Sequence, residues 1–134
     1  MKTLLTVLFF ALFQFTQAQN LQANQMRFRT WNQDGSITAW DTSKCNVPIE
    51  INAEYQLLTC HNALDQTFSI KLSDNGRYYN SQDYEGLPVA IAIHHNPDGT
   101  YNVLFHYDKV WLCYNGAIVV SYDYQYIHAR KIKQ

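Results

Sequence analysis

From about residue 20 onward, apolar side chains recur every second position rather than every third or fourth. Runs rich in Val, Ile, Thr, Tyr and Trp are cut at short intervals by Asp34-Gly35, Asn75-Gly76, Asn96-Pro97-Asp98-Gly99 and Asn115-Gly116. Asn, Asp and Gly accept the left-handed backbone that a tight reversal requires. No stretch long enough for a helix carries helical spacing. The pattern predicts an all-β fold. It would be an antiparallel meander of about 8–10 short strands, closed as a small barrel of lipocalin-like size or stacked as a sandwich.

The turns also predict registers. In the hairpin at Asn96–Gly99, Pro97 suits the second position of a type I turn and Gly99 the left-handed residue after it. The pairs then run from His95–Tyr101 through Ile93–Val103 and Ile91–Phe105 to Val89–Tyr107. This register gathers Val89, Ile91, Ile93, Val103 and Phe105 on one face, and a one-residue slip would scatter them. Asn115-Gly116 suits a type I′ turn opposing Tyr114–Ala117, Cys113–Ile118, Leu112–Val119 and Trp111–Val120. Asn75-Gly76 opposes Leu72 to Tyr79. Asp34-Gly35 opposes Phe28 to Trp40 and Arg27 to Asp41. A further pair joins Val47–Ile51 to Tyr55–Cys60.

The first 18 residues read differently. Lys2 precedes an apolar stretch from Leu4 to Phe15, and Thr16-Gln17-Ala18 ends it with a small residue at minus 3 and Ala at minus 1. That order is the layout of a secretory signal peptide, which predicts a leader over 1–18 and a single β domain over 19–134, secreted or periplasmic. The apolar block, as a helix, would reach only ~18 Å, too short to cross a membrane. The whole chain has 10 Lys plus Arg against 11 Asp plus Glu. Without a basic excess, bulk electrostatic binding to nucleic acid is not expected.

Trp40, then Cys45-Asn46-Val47-Pro48-Ile49-Glu50-Ile51-Asn52, Leu57 to Thr59, Gln66-Thr67-Phe68-Ser69-Ile70 and the later Tyr107-Asp108-Lys109-Val110-Trp111-Leu112-Cys113-Tyr114 form a recognisable layout. It resembles the small exported all-β proteins of unknown function found in Bacteroidetes-group bacteria, and Gln19 is similar to the residue at their processing sites. The resemblance covers about residues 1 to 116 and implies an exported all-β domain. It carries over no catalytic residue.

Three cysteines, Cys45, Cys60 and Cys113, permit one bridge and leave one thiol. Cys45 shares the parity of Val47, Ile49 and Ile51, and Cys60 that of Leu58. If those inner faces coincide, Cys45 and Cys60 are cross-strand neighbours able to form a disulfide, and Cys113 is a free, buried thiol. Metal ligation is not expected. His94 and His95 are adjacent and point to opposite faces, while His94 and His106 share a face but lie ~14 Å apart along the strands. His61 and His128 have no ligand spacing around them. Ser81, Ser121 and Cys113 lie in no nucleophile signature. Asp83 and Glu85 read as a solvated loop, and the tail from His128 to Gln134 as a frayed end. No cofactor motif is present.

The aromatic content stands out, with ten Tyr and three Trp. Tyr122, Tyr124 and Tyr126 alternate with Ser121, Asp123 and Gln125, and Tyr78 and Tyr79 flank a polar loop. A tyrosine ring with a polar tip suits a half-wet recognition surface as well as strand filling. The expectation is a non-catalytic module that binds a protein, a glycan or a small apolar ligand. Its recognition surface would be a ladder of Tyr122, Tyr124 and Tyr126 near a sheet edge, with Tyr78 and Tyr79 as further contacts. The alternative is a small secreted hydrolase whose site forms only in three dimensions.

Overall fold

A computed structural model describes residues 19–72, 78–114 and 116–132. The predicted leader, the Asn75-Gly76 turn and the side chain of Cys113 lie outside the described residues. Among the described residues nine strands follow one another: β1 (Gln19–Asn32), β2 (Asp41–Asn52), β3 (Leu57–Cys60), β4 (Gln66–Ser69), β5 (Lys71–Leu72), β6 (Tyr79–Gln82), β7 (Pro88–His95), β8 (Tyr101–Tyr114) and β9 (Ala117–Lys131). They form one sheet in the order β4-β3-β2-β1-β9-β8-β7-β6-β5, and every pairing is antiparallel.

The fold is therefore all-β, as the alternation predicts, and it is a barrel rather than a sandwich. Only Ile70 separates β4, at one edge of the sheet, from β5, at the other. The chain itself thus bridges the two edges, and the Ile70 amide bonds back to the Gln56 carbonyl at 2.8 Å. Taking β4 and β5 as one kinked strand, eight strands make a nearly closed cylinder. Closure disposes of the edges that an open sheet would expose. The strands are unequal. β1, β8 and β9 have 14, 14 and 15 residues, whereas β3, β4 and β6 have four each. Three long neighbours thus form a broad wall on one side.

Registers set by turn chemistry mostly hold. The β7–β8 pairs run from His95↔Tyr101 to Val89↔Tyr107 without interruption. Gly99 has φ +90°, and the Asp98 carboxylate accepts from the Thr100 amide and hydroxyl at 2.9 and 2.6 Å. Leu72↔Tyr79 and the three pairs nearest Gly116 are also in place, and the pairing of the Val47–Ile51 and Tyr55–Cys60 segments is realised as Ile49–Asn52 against Leu57–Cys60.

Two registers depart from expectation, both at bulges. Beside the Asp34-Gly35 turn the predicted phase is kept at Trp31↔Ile37, but farther along Phe28 faces Asp41 and Arg27 faces Thr42. One extra residue is taken up between Ile37 and Asp41. At the same end of the barrel the β8–β9 ladder jumps from Asp108↔Ser121 to Leu112↔Val119, so Trp111 does not oppose Val120. A bulge inserts residues without disturbing the pairing beyond it, and turn chemistry alone does not encode one.

The expected disulfide is not formed. Cys60 faces Ile49, so Cys45 lies four residues away along β2, ~14 Å at strand rise and well beyond the ~7 Å that a bridge spans. Both thiols are free. Cys60 is fully buried, and burial pushes its thiol up to about 12. Cys45 donates to the Ala23 carbonyl at 3.5 Å. The tail is not frayed through its length either: β9 continues to Lys131, and the Ile132 amide bonds the Asn20 carbonyl at 2.8 Å.

The barrel interior is aromatic. Phe105 stacks on Tyr124 at 4.6 Å between centroids, meets Phe68 at 5.0 Å and meets the edge of Tyr126 at 6.0 Å. Leu21, Ile49, Leu58, Ile91 and Val103 fill the space around this stack.

Candidate functional site on the outer wall of the barrel

The expected surface ladder of tyrosines faces inward. Tyr126 is 3% exposed, and Tyr122 and Tyr124 pack half-buried against the core. β9 lies between β1 and β8, not at an edge. Burial pushes the hydroxyls of Tyr122 and Tyr126 up to about 12 and that of Tyr124 higher still. Tyr79 also points into the core, and only Tyr78, among the five, reaches the outer surface described below. The polar residues between the tyrosines do point outward, as alternation requires, yet they are not wet. Ser121, Asp123 and Gln125 are all buried.

Their cover comes from β1 and the segment before β2. β1 reads Arg27-Phe28-Arg29-Thr30-Trp31, so Phe28 and Thr30 go inward while Arg27, Arg29 and Trp31 go outward. Register then makes rows across the wall: Arg27–Gln125–Leu104 and Arg29–Asp123–His106. Asp123 is 2% exposed and accepts three hydrogen bonds. Arg29 donates through Nε at 2.8 Å and Trp31 through Nε1 at 2.9 Å, both to Oδ2. His106 donates through Nδ1 to Oδ1. Arg27 donates through Nε to the Gln125 side-chain oxygen at 2.7 Å.

Stacking ties these groups together. The guanidinium carbons of Arg27 and Arg29 lie 4.4 and 4.2 Å from the centre of the Trp40 ring. Two residues along a strand span ~6.8 Å, which leaves room for one ring between their side chains. Arg29 is also 5.4 Å from Trp31, whose ring meets His106 edge-on at 6.0 Å. The result is a ladder on the outer wall: Arg27, Trp40, Arg29, Trp31, His106. The extra residue between Ile37 and Asp41 brings Trp40 onto it, since a bulge re-aims the side chains beside it.

Charge in this cluster is arranged by the buried carboxylate. Burial alone would raise Asp123, but hydrogen bonds from His106, Trp31 and Arg29 outweigh it and hold the carboxyl below its ordinary value. The bond to Asp123 raises His106, against a smaller desolvation that lowers it. Asp123 accepts at Nδ1, which fixes the imidazole tautomer and leaves Nε2 for the surface. His106 is 34% exposed there.

Beyond His106 the wall sinks into an open groove of 600 Å³. Ala90 and Ala92 form a low floor, because they carry only a methyl each. Leu104 and His106 rise on one side and Tyr78 and Asn80 on the other. His106 thus belongs to both the groove and the ladder.

Other candidates stay apart from this site. His61 sits at the surface between Glu50 and Asp65, at 3.2 and 3.1 Å. Asp83 accepts from the backbone amides of Glu85 and Leu87 at 2.9 Å and shapes a turn. Among the described residues no three His, Cys, Asp or Glu side chains converge on one point. Sequence reasoning passed over Arg27, Arg29, Trp31 and Asp123. The readable signal was the alternation Arg-x-Arg-x-Trp in β1, three large side chains on a face opposite Phe28. No protein-family model, curated protein or solved structure matches the chain.

Proposed function

We propose that this chain is an exported, non-catalytic binding module, and that it recognises its partner with the outer wall of β1, β9 and β8 and the adjoining groove. The observation that carries this reading is the buried Asp123 on the outer side of a barrel that already has an aromatic interior. Burying a carboxylate is costly, and here three donors compensate it. What the arrangement achieves is a fixed plane of Trp, Arg and His groups at the surface. Trp and Arg are the residues that dominate recognition surfaces, and holding them rigid beforehand lowers the entropy lost on binding. The ordered leader pattern at residues 1–18 and the resemblance to exported all-β proteins support the export.

A glycan array probed with residues 19–134 tests the reading, with Tyr78→Ala in parallel. Retention of a defined ligand by the wild type, with at least tenfold weaker retention by the variant, is expected. Equal retention by both would remove the groove from the site. One observation favours a second reading, a hydrolase: Asp123 orients His106 as it would orient a general base. Release of new reducing ends or acyl groups from an array ligand, abolished in His106→Gln, would favour that reading over simple binding.

A further inference from the structure

We infer that the ligand of this outer wall is an acidic polysaccharide, a chain bearing carboxylate or sulfate groups. Its anionic groups would lie on the Arg27–Arg29 edge of the ladder, and an adjoining sugar would sit in the groove against Tyr78. This inference rests on the binding reading above and specifies its ligand.

The argument begins with charge. Arg29 is matched by Asp123, but the hydrogen-bond partner of Arg27 is Gln125, a neutral amide, so that pairing leaves the Arg27 charge uncancelled. Arg130 on β9, which pairs across from Gln22, and Lys44 on the adjoining β2, which pairs across from Gln25, add two cations. The outward carboxylates are Asp108 beside the groove and Glu50 on β2, so the positive charge gathers at the Arg27–Arg29–Lys44 end of the wall. The chain as a whole carries a formal charge of -1. A cationic edge on such a chain is a local arrangement, not a consequence of composition.

Geometry adds the preference for a fork-shaped anion. Both arginines are fixed through Nε and by stacking on Trp40, so the terminal amino groups of each guanidinium remain as the outer donors. A guanidinium edge held in one plane matches the two oxygens of a carboxylate or sulfate. A protein partner would call for a deep apolar anchor pocket. Here the depression is open and has a floor of methyl groups. It is flanked by the Tyr78 ring and by the hydrogen-bonding groups of Asn80, His106 and Asp108, and the Asp108 carboxylate places a neutral sugar there and the anionic groups at the arginines. That combination suits the apolar face and hydroxyl rim of a sugar ring.

His106 makes the binding pH-sensitive. The groups that face it are Asp123 from β9, Arg29 and Trp31 from β1, and Asp108 on its own strand, with Tyr78 and Asn80 across the groove. Once His106 is protonated, the Arg27, Arg29, His106 and Asp123 cluster gains one positive charge, so an acidic chain is held more tightly at low pH.

The test is titration calorimetry of residues 19–134 with three probes: polygalacturonate, a sulfated glycosaminoglycan and neutral dextran, each at pH 5.5 and 8. Binding of one or both acidic chains is expected, at least fivefold tighter at pH 5.5 and weakened by added salt. Arg27→Gln, which keeps a hydrogen-bonding side chain, should weaken it tenfold or more. Lys71→Gln, on β5 away from this wall, should not. Tight binding of neutral dextran with none of the acidic chains would overturn the inference while leaving the binding reading intact. Acidic-chain binding that Arg27→Gln and Lys71→Gln weaken alike would also overturn it, as binding by net charge alone. Failure of every glycan, together with salt-sensitive binding of an acidic protein at the same wall, would replace the polysaccharide with a protein. Failure of all three glycans would overturn the polysaccharide inference and leave the binding reading to the array.

Discussion

At the scale of single residues the molecule turns on Asp123. Its carboxylate is 2% exposed yet fully hydrogen-bonded, so its removal leaves the donors of Arg29, Trp31 and His106 facing one another without an acceptor. Asp123→Ala should cost about 3 kcal/mol in urea unfolding, in the range for breaking a buried pair from one side. The same cluster sets a pH dependence. The folded pKa of His106 lies above its ordinary 6.5 because of the bond to Asp123. The stability this adds is complete below the unfolded value and fades as pH rises through the higher folded one. Asp123 moves the opposite way, below its ordinary 3.8, despite burial that would raise it. Its contribution is present above the unfolded value and lost as pH falls through the lower folded one. Stability measured against pH should therefore decline on the alkaline side of about 6.5 in the wild type, and His106→Gln should make that decline shallower, leaving the part carried by His61, which Asp65 and Glu50 also raise. NMR titration should place His106 above the ordinary histidine value of 6.5.

Strands show what was legible and why. The β7–β8 register followed from a turn whose residues allow one geometry and from faces that a slip would ruin. Gly99 is the residue that fixes it, at φ +90°, and a methyl group placed on its Cα would have open space around it, with no atom within 4 Å. Gly99→Ala should then cost about 1 kcal/mol, all of it backbone strain with no clash, as read from the shift in denaturation midpoint. Bulges were not legible, because an extra residue between two good ladders leaves no mark on the alternation. That is why the β1–β2 pairing was misplaced by one residue beyond the turn, and why Trp40 was not foreseen on the outer wall. The disulfide failed for a related reason. Shared parity puts Cys45 and Cys60 on the same face but says nothing of distance along it, and Cys60 pairs with Ile49.

Across the whole molecule, alternation identified an all-β chain without choosing between barrel and sandwich. That choice depended on β1 pairing with β9 and on Ile70 carrying the chain from one edge of the sheet to the other. Neither leaves a local signature. Alternation along β9 correctly put the tyrosines and the polar residues on opposite faces, but assigned the outer surface to the wrong one of the two. The inward tyrosines join the core, and the outward polar groups lie beneath a layer of Arg and Trp. The unequal strands should also show in hydrogen exchange. Amides of β1, β8 and β9, paired on both sides over long ladders, should exchange more slowly than those of the four-residue strands β3, β4 and β6. The inward tyrosines belong to the core that holds the barrel together, whereas the half-exposed Trp40 and its arginines on the outer wall serve recognition. The most direct measurement compares Tyr124→Ala with Trp40→Ala for melting temperature and for binding of the ligand retained by the wild type. Tyr124→Ala should lose about 3–5 kcal/mol of stability, the cost of emptying an aromatic site in a core. Trp40→Ala should change stability by about 1 kcal/mol and lose binding. A Trp40→Ala protein that binds as the wild type does, or a Tyr124→Ala protein that melts with it, would contradict the account.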